Sequence, residues 1–139
     1  MSRYTVREVK YISTRDESGK EAVSSAEAIK RGIAPDGGLY MPSPMPRFGI
    51  TDLAQITKAD YPERAAYILQ RYLTDYTYGE LLSAAKAAYG SRFDGHPAPL
   101  REISGRESIL ELWHGPTCAF KLSMITLLGV KLRNFRIEV

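Results

Sequence analysis

Cysteine is nearly missing from the sequence: Cys118 stands alone among 139 residues, which excludes an internal disulfide and suits a reducing cytoplasm. Long apolar runs are missing as well. The longest nearly apolar stretch, Met124 to Val130, falls far short of the roughly 20 residues that a membrane span needs. Met1-Ser2-Arg3-Tyr4-Thr5-Val6-Arg7-Glu8 has no apolar segment of the signal-peptide kind, so no membrane partner is expected. Neither G-x-G-x-x-G nor G-x-x-x-x-G-K occurs, and a bound nucleotide has no motif to sit in. There are two histidines, His96 and His114. His96 lies between Gly95 and Pro97 without Cys or carboxylate partners at ligand spacing, so no metal site is expected. Charge of one sign is also scarce: the net charge is +3 and the pI about 9.0, with acidic and basic residues interspersed. Only Lys131, Arg133 and Arg136 lean basic, diluted by Glu138, and nucleic acid is not an expected partner.

What is present is an ordinary globular composition, 44% hydrophobic and 25% charged, without repeats or low-complexity tracts. The alternation over Tyr4 to Thr14 predicts one or two strands, and Asp16 to Lys20 a turn. Ser24-Ser25-Ala26-Glu27 is a capping box for a short helix that Gly32 closes. Pro35-Asp36-Gly37-Gly38 supplies a tight turn into a strand at Leu39 to Met41, and Pro42, Pro44 and Pro46 then impose an extended connector. A helix from Asp52 to Thr57 is expected, capped by Thr51 and with Leu53, Ala54 and Ile56 inward. Asp60-Tyr61-Pro62-Glu63 and Thr77-Tyr78-Gly79-Glu80 start the two main helices. The first is expected to bury Ala65, Ile68, Leu69, Tyr72 and Leu73; the second Leu81, Leu82, Ala85, Ala88 and Tyr89, ending at Gly90. The tyrosines between Tyr61 and Tyr89 lie among aliphatics without interleaved arginines, which favours packing over base stacking. Ser91 to Pro99 is a loop, and Leu100 to Ile103 pairs with Ser108 to Trp113 around Ser104-Gly105-Arg106.

That second strand runs into Gly115-Pro116, and Thr117 can cap a helix whose first turn holds Lys121. The positive end of the helix dipole disfavours an ammonium there and favours the neutral amine, a nucleophile toward carbonyls. Two readings stay open for Lys121: a solvated surface lysine, or a Schiff-base lysine. Cys118 is read as a small packing residue beside the lysine, with a nucleophile as the alternative. His114 either bonds the turn or does acid–base work. From Lys131 to Val139 the pattern alternates like a strand.

Glu111-Leu112-Trp113-His114-Gly115-Pro116-Thr117-Cys118-Ala119-Phe120-Lys121 resembles the cofactor-lysine segment of threonine synthases, E-L-[FWY]-H-G-P-T-x-A-F-K-D. Tyr11-Ile12-Ser13-Thr14-Arg15 is similar to their Y-x-S-T-R opening, and Gly32 to Pro42 to their G-[IL]-A-x-D-G-G-L-[YF]-x-P. The resemblance runs from about Tyr11 to Lys121. It implies an α/β fold, the small mixed N-terminal domain of a fold-type II pyridoxal-phosphate enzyme, truncated, with residues 1–99 as that domain and 100–139 as the start of the cofactor domain. The implied reaction turns O-phospho-L-homoserine and water into L-threonine and phosphate, with a small-molecule substrate and pyridoxal phosphate as cofactor. Lys121 is the implied catalytic and cofactor-binding residue. The Asp36-Gly37-Gly38 turn is expected to place the small domain over the mouth of the cofactor cleft. Leu122 stands where the family pattern has aspartate. The asparagine, glycine-rich loop and hydroxyl that the family brings to the cofactor have no counterpart in these residues, so the chain by itself is expected to be inactive and not to retain pyridoxal phosphate. The alternative is a non-catalytic interaction module that self-associates or pairs with another chain through an exposed apolar face.

Overall fold

The computed structural model describes residues 8–90, 93 and 95–115. Among them the elements run β1 (Lys10–Ser13), α1 (Ser25–Arg31), β2 (Tyr40–Ser43), α2 (Ile50–Ile56), α3 (Tyr61–Tyr72), α4 (Tyr78–Tyr89), β3 (Leu100–Ser104) and β4 (Glu107–Leu110). This is the mixed α/β class expected from the sequence. The chain divides into two compact units, one made of the residues up to Ala59 with Ala66–Leu81, the other of Asp60–Ala65 with the residues from Leu82 on.

In the first unit β1 and β2 pair antiparallel, with Lys10 opposite Ser43 and Ser13 opposite Tyr40. The pairing is extended by a bridge between Tyr11 and Val23 and another between Ile33 and Leu39. Helix α1 keeps one half of the expected capping box: Ser24 Oγ accepts from the Glu27 N–H at 3.2 Å, and Gly32 ends the helix at φ 72°. The Glu27 carboxylate turns instead to Arg31, at 2.7 Å. Asp75 ties this end of α1 down, accepting from the Ser25 hydroxyl and, at 2.8 Å, from the Ala26 N–H. Val9, Ala28, Ala34, Ala66 and Leu81 are buried, and Ser13 and Ser25 with them.

Helix α2 begins earlier than expected. Its N-cap is Gly49, and Asp52 reaches back to accept from the Gly49 N–H at 2.7 Å. Thr51 is therefore inside the helix, and Leu53, 51% exposed, is not on a buried face. Asp52 also accepts from the Tyr67 hydroxyl at 2.6 Å and from Arg71 Nη2 at 2.5 Å, and the Arg71 guanidinium lies over the Phe48 and Tyr67 rings. One carboxylate thus joins the first turn of α2 to α3.

The start of α3 is a reciprocal capping box, Asp60 N–H to Glu63 Oε2 at 3.1 Å and Glu63 N–H to Asp60 Oδ1 at 2.8 Å. Its fully buried position is Ala66, while Ile68 is 38% exposed, so the buried face is rotated from the one expected. Helix α4 repeats the box with Thr77 and Glu80. In the second unit Ala84, Ala85, Ala88 and Phe93 are buried, and Tyr61 meets Tyr89 edge-on with ring centroids 5.0 Å apart. Helix α4 thus presents alanines, which let neighbouring groups approach closely; Tyr61 and Tyr89 pack as expected, while Tyr78 is exposed. Strands β3 and β4 form an antiparallel hairpin with Leu100 opposite Leu110 and an irregularity between Glu102 and Ser104. The second strand ends at Leu110, short of Trp113.

Candidate functional site

Lys121, Cys118 and Leu122 lie outside the described residues, as do the helix expected from Cys118 and the strand-like stretch from Lys131 to Val139. The chain leading to Lys121 is described as far as Gly115. Beyond β4, Glu111 donates its N–H to the Pro99 carbonyl at 2.9 Å, so the exit from the hairpin is fixed. Its carboxylate turns to His114, with Oε2 2.7 Å from Nε2. Trp113 is stacked on the same imidazole, with ring planes 25° apart. Gly115 closes the turn against Phe93, where an added Cβ would stand 3.3 Å from the ring. A side chain there would press the ring back by a few tenths of an ångström. His114 is therefore bonded within its own turn, one of the two readings left open for it, and its partner, Glu111, is a carboxylate to which the sequence alone assigns no role.

In the first unit the Ser13-Thr14-Arg15 and Asp36-Gly37-Gly38 stretches are one structure. Asp36 Oδ1 accepts from the Ser13 hydroxyl at 2.7 Å and from the Gly38 N–H at 2.8 Å. The Ser13 Oγ in turn accepts from the Arg15 N–H at 3.1 Å, and Arg15 Nη1 donates to the Asp36 carbonyl at 2.9 Å. Thr14 and Leu39 exchange two bonds, Thr14 N–H to the Leu39 carbonyl at 2.8 Å and Leu39 N–H to Thr14 Oγ1 at 3.0 Å. The Gly38 N–H and the Ser13 hydroxyl hold the Asp36 carboxyl below its ordinary value of 3.8. Gly37 takes φ 78°, and a Cβ on Gly38 would collide with Ser13 Oγ. The polar triplet is thus a clasp rather than a loose turn, and its hydroxyls and the backbone it holds are mutually satisfied.

Among the described residues no group of three or more His, Cys, Asp or Glu side chains is placed to hold a metal ion. His96 instead meets Tyr61 edge-on, ring centroids 5.4 Å apart. No helix among the described residues is long and apolar enough to cross a membrane.

A family model described as threonine synthase N terminus matches residues 10–89. A threonine synthase of Pseudomonas aeruginosa is 35% identical over 125 residues, which covers 87% of this chain and 26% of that protein. Among solved structures, PLP-bound threonine synthase from Brucella melitensis superposes with a TM-score of 0.82 at 31% identity, over 91% of this chain and 27% of that one. Threonine synthase from yeast gives a TM-score of 0.81 at 32% identity, over 91% and 26%. The chain spans about a quarter of the length of these relatives.

Proposed function

The chain belongs to the threonine synthase family, and on that premise we propose that it serves as the N-terminal part of an enzyme making L-threonine and phosphate from O-phospho-L-homoserine and water. In this reading Lys121 carries pyridoxal phosphate, residues 1–99 form the small domain, residues 100–139 begin the cofactor-bearing domain, and the protein works in the cytoplasm. The observation that carries it is the likeness, over nearly the whole chain, to an enzyme that holds this cofactor.

The donor chemistry fits the group at its amine end. A lysine that grips an aldehyde must leave from a rigid support, and the described residues before it are held at Glu111, His114 and Gly115. When bound, pyridoxal phosphate supplies an electron sink beside the substrate nitrogen. The chain's own residues supply position. Lys121 would hold the group and afterwards move protons, while the clasp at Ser13, Arg15 and Asp36 keeps the small domain's turn in one conformation. With Leu122 in place of the family's aspartate and about a quarter of the relatives' length, the 139 residues alone are proposed not to turn over substrate.

The test is a titration with pyridoxal phosphate. An absorbance band near the visible edge that Lys121→Ala removes supports the reading, and no band in the parent chain contradicts it.

A second reading has its own support. Leu100 is 69% and Ile103 60% exposed, and Ile109, Leu110 and Trp113 are exposed beside them. An apolar hairpin of this kind suits a module that self-associates or pairs with another chain. Sedimentation equilibrium separates the readings: a strictly monomeric, folded species removes self-association.

A further inference from the structure

The Asp36-Gly37 peptide bond carries a reaction that the proposed enzyme does not use. In an Asp-Gly pair the nitrogen after the aspartate has no side chain beside it, so it can reach the aspartate's own Cγ and close a five-membered imide. Asp36 and Gly37 are both exposed, in a turn where Gly37 takes φ 78°. The clasp opposes that closure from three sides. The Gly37 N–H, which would attack, donates to the Ala34 carbonyl at 2.8 Å. At the other end of the same peptide unit Arg15 Nη1 donates to the Asp36 carbonyl at 2.9 Å, so its plane is pinned at both ends. The carboxyl that would be attacked is held by two donors on one oxygen, the Ser13 hydroxyl at 2.7 Å and the Gly38 N–H at 2.8 Å. Those donors favour the ionised carboxyl, the form with the poorer leaving group.

We propose that Asp36-Gly37 is a spontaneous isoaspartate site that the bonds from Ser13, Arg15 and Gly38 hold shut, so that an opening of the clasp is made permanent by the turn's own chemistry. When the clasp opens, the Gly37 nitrogen adds to Asp36 Cγ and gives up its hydrogen. One carboxyl oxygen leaves with that hydrogen and a solvent proton as water. Water then adds to either carbonyl of the imide. Attack at the side-chain carbonyl restores the original aspartate, whereas attack at the backbone carbonyl leaves the chain running through Cγ with a free carboxylate on Cα. No oxidant is consumed, and the product has the mass of the starting chain. Its backbone is one carbon longer at the turn, so one carboxylate oxygen can no longer meet both the Ser13 hydroxyl and the Gly38 N–H, and the turn stays unfastened from β1.

The experiment keeps the full chain in warm neutral buffer, folded and, in parallel, unfolded in urea. The peptide carrying Asp36 is followed by electron-transfer fragmentation, which separates the two linkages although their masses are equal. The folded parent is expected to convert roughly tenfold or more slowly than the unfolded chain, because closure has to wait for local opening. Ser13→Ala removes one donor, and Gly38→Ala forces the other away because its Cβ would collide with Ser13 Oγ; neither alters the reacting pair. Both are expected to raise the rate in the folded protein roughly fivefold or more. Tyr67→Phe removes a hydroxyl bond to Asp52 in the same unit without touching the clasp residues, and is expected to convert at the parent's rate. A folded parent as fast as the unfolded chain, or clasp variants no faster than the parent, overturns the inference. So does acceleration by Tyr67→Phe equal to that by Ser13→Ala, which would assign the protection to the unit as a whole. Circular dichroism reports folding: should one clasp variant not fold, the other decides, and should neither fold, the parent's folded-to-unfolded ratio decides.

Discussion

Ser13 donates its hydroxyl to Asp36 Oδ1 at 2.7 Å across 23 residues of chain. That bond makes one object of two stretches that look independent along the sequence, because the same Ser13 Oγ accepts from the Arg15 N–H and the same Asp36 oxygen accepts from the Gly38 N–H. The turn after α1 is thereby fastened to the end of β1. Any loss at one stretch should be felt at the other.

Gly38→Ala tests that fastening. A Cβ there has no room beside Ser13 Oγ and stands 3.1 Å from the Arg15 nitrogen, so the clasp must open to admit it. Overpacking of this sort costs about 1–3 kcal/mol, read by urea unfolding. Gly79→Ala is the contrast: nothing lies within 4 Å of a Cβ at that position in α4. It should raise stability by up to about 0.5–1 kcal/mol. Equal effects at both positions would mean that the clasp is not tight.

Acid should weaken the same clasp. The Asp36 carboxyl is held below 3.8 by the Gly38 N–H and the Ser13 hydroxyl. A depressed folded-state value gives stability that is complete above the unfolded value and lost as pH falls through the folded one. Asp75 is shifted in the same direction: burial pushes it up, but donors from Ser25 and Ala26 outweigh that. Asp36→Asn should lower stability at neutral pH and flatten its fall below pH 3.8. An acid limb identical to the parent's would take Asp36 out of the explanation.

Alkali should act on the second unit. Burial, then the neighbouring Tyr61, pushes the Tyr89 phenol up to about 12. With the folded value above the unfolded one, the contribution is whole below pH 10.0 and disappears between there and about 12. Tyr89→Phe should leave neutral stability little changed and make the alkaline decline shallower. Denaturant midpoints measured through that range decide it, and an unchanged decline in the variant would refute the assignment.

The sequence announced its helices where capping is done by side chains. Ser24, Asp60 and Thr77 each place an oxygen on the first turn, and each helix begins beside them. Helix α2 begins before the expected Thr51 cap because its cap is Gly49, which carries no side chain, and the group that completes the cap, Asp52, lies inside the helix. The buried face of α3 differs from the expected one for a related reason: Ala66 is fully buried, yet an alanine contributes little to an apolar pattern, while the conspicuous Ile68 is partly exposed. The clasp is not legible in the sequence because the bonds that join its two halves span more than twenty residues and depend on which strands pair, which local pattern does not reveal. For the candidate site, the turn at Gly115 and the Trp113-His114 sequence were legible, but the Glu111 partnership emerged only from coordinates. An i,i+3 acid–histidine spacing is common, and outside a helix it does not say whether the two side chains meet.

Lys121 decides the rest. After incubation of the full chain with pyridoxal phosphate and reduction with borohydride, peptide mass mapping should find the added mass on the peptide carrying Lys121, in excess over every other lysine peptide. Labelling spread evenly over surface lysines such as Lys20, Lys30 and Lys58, with no preference for Lys121, would contradict the proposal that this lysine is the cofactor's anchor.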